Sequence, residues 1–192
     1  YFSASKLSFT VLQTAVIFIA GMLFWSLFEY TVHRFVFHFF AESDRAKKIV
    51  YVIHGNHHEY PRDKERLFMP AVPSLLLAII VFSIQYLAAG LFGVSVYVFA
   101  FFPGFLMGYL IYGSMHYAIH AWNPPFKWMK PLWRNHHLHH YKNVELGFGV
   151  SSTLWDHIFG TMFDLNKEKE DKEKVKELMF GNAAAEKQLQ SR

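Results

Sequence analysis

The sequence predicts an all-α integral membrane fold in which transmembrane helices carry a helical cap. Two observations predict it: long stretches without charge, and histidines clustered beside them. Leu7 to Phe28 contains no Asp, Glu, Lys or Arg, and neither does the run from Leu67 to Phe126. Twenty-two apolar-rich residues at about 1.5 Å each reach roughly 33 Å, enough to cross a hydrocarbon core of ~30 Å. The sixty-residue run is long enough for two crossings. The expected spans are about 8–28, 72–91 and 94–112, the last two joined by a tight turn around Gly90 to Gly93. With 53% hydrophobic and 19% aromatic residues, membrane helices fit better than three buried helices of a soluble core. A signal peptide is a poor reading of the first stretch. It lacks a basic leader and a small-residue cleavage pattern, and it runs directly into His33.

Ten of the twelve histidines fall into four clusters: His33-x4-His38, His54-x2-His57-His58, His116-x3-His120 and His136-x2-His139-His140. Steps of three and four residues return side chains to one helix face, so each of the last three clusters presents its imidazoles side by side. Imidazole is the commonest protein ligand for transition metals, and one ion takes about four to six ligands. Ten candidate ligands therefore suit two ions. The step of five at His33 and His38 is different. It separates the two by roughly 140° on an α-helix, so they serve different metals or straddle a helix end. An all-histidine set accepts zinc, iron, copper or nickel, and the affinity order does not choose among them. The absence of cysteine excludes disulfides, thiolate ligands, iron–sulfur clusters and a Cys nucleophile. Neutral imidazoles leave two divalent ions most of their positive charge, which favours hydroxide or oxygen-derived ligands at an open position.

Parity sets the topology. The first span ends near Glu29, the hairpin leaves and returns near Gly113, and so residues 29–70 and 114–192 share one side. Lys6 is the only one of nineteen Lys and Arg outside those two segments, which places that side in the cytosol by the positive-inside rule. The cap with its histidine-rich di-metal site is therefore expected on the cytosolic face. A net charge of +4 and a pI near 9.2 fit contact with anionic membrane lipids. Nothing beyond bulk charge points to nucleic acid.

The remaining elements follow in order. Ser43 to Tyr51 reads as a short interfacial helix leading into His54, and Pro61, Pro70 and Pro73 bound a loop before the hairpin. Trp122 to Trp133, with Pro124, Pro125 and Pro131, reads as an interfacial segment, the depth Trp and Tyr favour. From Asn166 the chain becomes a charged tail, an exposed or frayed helix with opposite charges at i, i+4. The expected organisation is one membrane domain over 1–165 and a tail over 166–192.

Several stretches together resemble one family. Glu29-Tyr-Thr-Val-His-Arg-Phe-Val-Phe-His38, His54-Gly-Asn-His-His58 with Pro61, and Gly147-Phe-Gly-Val-Ser-Ser-Thr-Leu-Trp-Asp156 with Phe159-Gly-Thr161 resemble the fatty acid 2-hydroxylase branch of the fatty acid hydroxylase/sterol desaturase superfamily. His116-Tyr117…His120 and His136-x-x-His139-His140-Tyr141 sit where that family has its third and fourth histidine boxes. The resemblance runs from about Glu29 to Thr161. It implies a di-metal, O2-dependent monooxygenase that hydroxylates carbon 2 of a long-chain acyl lipid, free or within a sphingolipid. It further implies His33, His38, His54, His57, His58, His116, His120, His136, His139 and His140 as metal ligands, with iron the working metal and zinc able to fill the site. A bacterial inner membrane or the endoplasmic reticulum would house such an enzyme. Related sterol or carotenoid hydroxylases and lipid desaturases share similar boxes, and a metal transporter is the non-enzyme alternative.

This sequence departs from the family pattern in places. Gly113 stands where the family commonly has Asp. Many members carry a fused cytochrome b5 domain, which is not in this sequence, so electrons are expected from a separate donor such as cytochrome b5 or a ferredoxin with its reductase. Members usually have a further span before the first one here, so a leading segment is expected to precede Tyr1. Glu29 and Asp156 are candidate acceptors for ligand N–H groups, which orient metal-bound imidazoles. Tyr117 and Tyr141, beside ligands, are candidate hydrogen-bond donors. His137 competes with the His136-x-x-His139-His140 register and is read as facing a ligand or the substrate, and His157 as solvated or hydrogen-bonded.

Overall fold

In the computed structural model, residues 9–63, 65, 67–167 and 169 are described, and every regular element among them is helical. The chain divides into two compact units, Tyr1–Thr161 and Met162–Arg192. The charged tail falls almost wholly outside the described residues.

The first long helix, α1 (Val11–Val32), starts where the sequence supplies a capping box. The Thr10 hydroxyl accepts from the Gln13 backbone N–H at 3.2 Å, and the Gln13 side chain accepts from the Thr10 N–H at 3.0 Å. Where α1 ends the helix does not stop but widens into a π-turn over His33–Phe37, closed by the His38 N–H on the His33 carbonyl at 3.2 Å. Next come α2 (Asp44–Val50), capped by the Ser43 hydroxyl, a second π-turn over Tyr51–Gly55, and α3 (Asn56–Glu59). The apolar hairpin is α4 (Ala71–Gly90) and α5 (Val98–Ala121), joined through Gly93 and a 3-10 turn at Ser95–Tyr97. Then come α6 (Lys130–Tyr141) and α7 (Leu154–Ile158).

Three helical stretches, Val11–Phe37, Ala71–Gly90 and Ser95–Ala121, are long and apolar enough to cross a membrane. No residue of α4 is buried, and Leu75, Ile79, Ile80 and Leu87 are all more than half exposed. Such a helix is explained by lipid as its solvent. Helices α1 and α5 pack along their length because small residues let the backbones meet. A Cβ on Gly104 would lie 1.9 Å from the Phe18 carbonyl oxygen, and one on Gly21 would lie 2.1 Å from that of Phe101.

Two expected boundaries move. The predicted spans 8–28 and 94–112 stop short of the helices, which continue through His33 at one end and through His116 and His120 at the other. No proline lies in 29–37 or 113–121, so the membrane helices themselves carry ligand candidates out of the apolar zone. Trp133, expected at the interface, is buried against Ile119 and Val150, and its indole N–H donates to the Trp122 carbonyl at 2.9 Å. Trp122, Phe126 and Trp128 are the exposed aromatic residues of that segment.

Candidate metal centre

The ten clustered histidines assemble into two groups of five. His33, His38, His54, His58 and His139 form the first cluster; His57, His116, His120, His136 and His140 form the second. Within each, one ligand atom per residue lies within 4.8 Å of all the others. The i, i+4 pairs His54/His58, His116/His120 and His136/His140 each stay in one cluster, as helical periodicity dictates. His57 and His139, one step off those pairs, cross to the other cluster. Each His-x-x-His-His box thus serves both clusters and locks them together. The clusters meet where His58 and His140 stack with ring centroids 4.1 Å apart.

The five-residue step is resolved by backbone geometry. His33 and His38 share the first cluster, and of the two expected alternatives the helix end is the one observed. The π-turn has a larger repeat than an α-helix, so five residues return nearly to the same face.

The donor chemistry fits metal ions. In the first cluster the His33 Nδ1–H donates to the Phe148 carbonyl at 2.6 Å, and the His139 Nδ1–H to the Leu146 carbonyl at 2.7 Å. Each neutral ring then aims an Nε2 lone pair inward. His33 and His54 Nε2 lie 3.1 Å apart, His54 and His58 3.0 Å, and His38 and His139 3.0 Å. In the second cluster the spacings are 2.9 Å for His120–His136 and 3.1 Å for both His57–His140 and His136–His140. Metal–nitrogen bonds of about 2.0–2.1 Å put adjacent donors about 3 Å apart. The buried Nε2 of His116 has no hydrogen-bond partner, as expected of an atom reserved for an ion. Burial holds His38 down at about 4 and His57, His58 and His139 at about 3, and pushes His54, His136 and His140 well below the usual imidazole value. These rings are neutral at pH 7, the state that ligates.

The two candidate carboxylates sit near the clusters but bond no imidazole, contrary to expectation. Glu29 Oε1 accepts from the N–H groups of Val150 and Ser151, both at 2.8 Å, and Oε2 accepts from the Ser151 hydroxyl. Asp156 accepts from the N–H groups of Phe148 at 2.9 Å and Gly149 at 2.8 Å, and from the Thr161 hydroxyl at 2.7 Å. Both therefore fix the 148–151 loop whose Phe148 carbonyl orients His33. Glycines make that loop possible: Gly147 has φ 73°, and a Cβ on Gly149 would lie 2.1 Å from the Ser152 carbonyl oxygen. Tyr117 packs its ring on Phe68 and Trp122, and Tyr141 is exposed with its ring on His137. His137 belongs to neither cluster. His157 Nδ1 bonds the Thr153 carbonyl at 2.8 Å on the surface. At Gly113, the position of the family's Asp, a Cβ would lie 2.8 Å from the Phe68 ring.

Sequence reasoning missed several supporting residues. Asn135 is buried and donates to Asp156 Oδ2 at 3.3 Å, tying α6 to the same carboxylate. Tyr30 is buried, and its hydroxyl lies 2.9 Å from both the Thr161 hydroxyl and the Arg34 guanidinium. Arg34 lies one turn from Tyr30, but Thr161 is 131 positions from it, and Asp156, the partner of Asn135, lies on another helix.

A cavity of about 770 Å³ opens on the first cluster alone. His38, His54 and His58 form part of its wall, Phe35, Phe37, Phe39, Phe40 and Phe148 form an apolar part, and Arg34 and Lys47 contribute cations. No residue of the second cluster lines it.

The fatty acid hydroxylase family model matches residues 18–161. The dihydroceramide fatty acyl 2-hydroxylase of Arabidopsis thaliana is 36% identical over 83% of this chain and 65% of its own length. The ceramide very long chain fatty acid hydroxylase of Saccharomyces cerevisiae is 40% identical over 76% of this chain and 37% of its own, and human fatty acid 2-hydroxylase 37% identical over 76% and 39%. The chain thus spans from over a third to just under two thirds of these relatives' lengths. The solved structure of full-length scs7p, with only the hydroxylase domain visible, superposes with a TM-score of 0.72 at 37% identity, over 82% of this chain and 59% of that one. The family match covers all four histidine boxes, and the chain belongs to the fatty acid hydroxylase family.

Proposed function

We propose that residues 1–165 form the membrane-embedded catalytic domain of a di-metal monooxygenase that hydroxylates carbon 2 of long-chain acyl groups, free or sphingolipid-linked. The observation that carries this reading is the pair of five-histidine clusters, one of them opening on a phenylalanine-walled cavity with two cations. The relatives' names supply the carbon position and the ceramide or free acyl context.

In this reading His33, His38, His54, His58 and His139 hold one metal, and His57, His116, His120, His136 and His140 the other. Iron is the expected working metal, with zinc able to occupy the same donors. Bound there, the metals supply reductive activation of O2. The balance is one C–H bond, one O2, two electrons and two protons converted to one C–OH and one water, with the electrons drawn from cytochrome b5 or a ferredoxin and its reductase. The chain itself positions the substrate. Phenylalanines shed water around the acyl segment, while Arg34 and Lys47 attract the carboxylate or amide oxygen on carbon 1. Carbon 2, one bond away, then lies against the wall formed by His38, His54 and His58. The distribution of Lys and Arg supports a cytosol-facing site among membrane lipids, in a bacterial inner membrane or the endoplasmic reticulum.

Expression in cells without endogenous activity, followed by mass spectrometry of acyl lipids, tests the proposal. The expected product is a 2-hydroxy acyl chain. A double bond, a sterol product or an unchanged acyl pool overturns it.

A further inference from the structure

The proposed hydroxylation needs electrons from outside the chain, and a second open pocket lies where they can be delivered. It has a volume of about 480 Å³ and shares no residue with the acyl cavity. Lys130, Arg134, His137 and Tyr141 of α6 line it. Arg62 lies close enough to His137 to disfavour a charge on that ring. None of Arg62, Lys130 and Arg134 forms an ion pair among the described residues. Lys130 and Arg134 in the depression, with Arg62 near His137, attract an anionic partner and raise its rate of encounter.

The rings beneath the pocket distinguish it from a general basic surface. Tyr141 is exposed and stacks on His137, with centroids 6.3 Å apart and planes 28° apart. The His137 ring lies 6.1 Å from that of His120. His120 Nε2 is 2.9 Å from His136 Nε2 inside the second cluster. A run of aromatic rings therefore leads from the cationic surface to the cluster that the acyl cavity does not reach. A lipid headgroup could use the charge but has no use for the rings.

We infer that this pocket is the docking surface for an acidic one-electron redox protein, with Tyr141 and His137 the route from its cofactor to the second cluster. The inference rests on the monooxygenase reading. The donor is oxidised twice per product, one electron at a time, and O2 is the final acceptor. Substrate and electrons thus approach the two clusters from separate openings.

The test uses the full, metal-loaded chain in phosphatidylcholine nanodiscs, with the soluble haem domain of cytochrome b5 as the acidic probe. Binding of the wild type weakens as salt rises. The double variant Lys130→Glu/Arg134→Glu raises the Kd by about tenfold or more while metal per chain and the melting temperature stay unchanged. If that variant misfolds, Lys130→Gln/Arg134→Gln shows a smaller rise in the same direction. His137→Gln keeps the Kd and metal content but slows haem oxidation in stopped flow. An unchanged Kd in the charge variants, or unchanged haem oxidation in His137→Gln, overturns the inference. So does a charge variant that loses affinity only for phosphatidylserine vesicles, which assigns the patch to lipid. A wild type that oxidises the haem domain yet forms no 2-hydroxy product refutes the function reading and leaves the docking surface standing.

Discussion

The two clusters share a formula of five histidines and differ in construction. The second takes four of its ligands from two straight helices, His116 and His120 on α5 and His136 and His140 on α6. The first draws on two π-turns, the position just past one of them, α3 and α6. In the first, the carbonyls of Phe148 and Leu146 fix the tautomers of His33 and His139. In the second, the Nδ1 atoms of His57, His136 and His140 have no hydrogen-bond partner. The first opens on the acyl cavity and the second does not. Regular helices can hold an ion by periodicity alone. A cluster that must also admit a substrate needs irregular backbone to clear one side, and π-turns concentrate where function demands this.

Removing one ligand from each cluster gives the largest expected effects. His58→Ala and His140→Ala, the stacked pair, should each remove about one metal per chain and cut 2-hydroxy product by more than the 10–100-fold typical of outer contacts. Metal analysis beside product analysis checks both. Should His140→Ala lose metal yet keep activity, the second cluster would be structural and the proposed division of labour wrong.

Acid should weaken both clusters next. His38, His58 and His139 in the first cluster and His57 in the second have folded values of about 3 to 4, against an ordinary value of 6.5. Because burial depresses these values, the stability contributed by the neutral rings is complete above pH 6.5. It is lost as pH falls toward 4 and then 3, while the unfolded chain takes up protons first. The melting temperature of the metal-free chain should therefore fall steadily below pH 6.5. A melting temperature that holds constant from pH 6.5 to pH 4 would contradict this.

The carboxylates sharpen the same contrast with a smaller effect. Glu29→Gln disturbs the loop behind His33 and should weaken metal binding in the first cluster by about 10–100-fold, leaving the second unchanged. Asp156→Asn should disturb both, because Asp156 holds that loop and also Asn135, the neighbour of His136. Competition titrations with a chelator, read per site, check the difference.

That these ten histidines gather was legible in the sequence because helical steps of three and four are local. Which histidine joins which cluster was not. Whether His57 joins His54 or His116 depends on how α3 meets α5 and α6, a tertiary fact that spacing within one box does not contain. The step from His33 to His38 was misleading for a related reason. An α-helical repeat was applied to a segment whose hydrogen bonds close over five residues. The helices are longer than the expected spans because charge-free length marks the apolar zone, whereas α1 and α5 run beyond it. Glu29 and Asp156 were found for their chemistry, but their donors are loop N–H groups, which carry no mark in a sequence.

Two tyrosines give the smallest effects and show where that boundary lies. Tyr117 stood out because it adjoins His116, yet adjacent positions on a helix point about 100° apart, and its ring faces Phe68 and Trp122. Tyr117→Phe keeps both ring contacts, so stability should change by no more than about 0.5 kcal/mol, and metal content in neither cluster should change. Tyr30 had no such prominence, but its buried hydroxyl joins Arg34 at the acyl cavity to Thr161 and, through it, Asp156. Tyr30→Phe removes two hydrogen bonds and should cost about 1–3 kcal/mol in thermal or urea unfolding. It should also raise KM more than it lowers kcat, because Arg34 loses its support while the histidines keep theirs. If Tyr117→Phe proved the more damaging of the two, proximity in sequence would have outweighed the contacts, and the hydrogen-bonded route from Arg34 to the 148–151 loop would not support the first cluster.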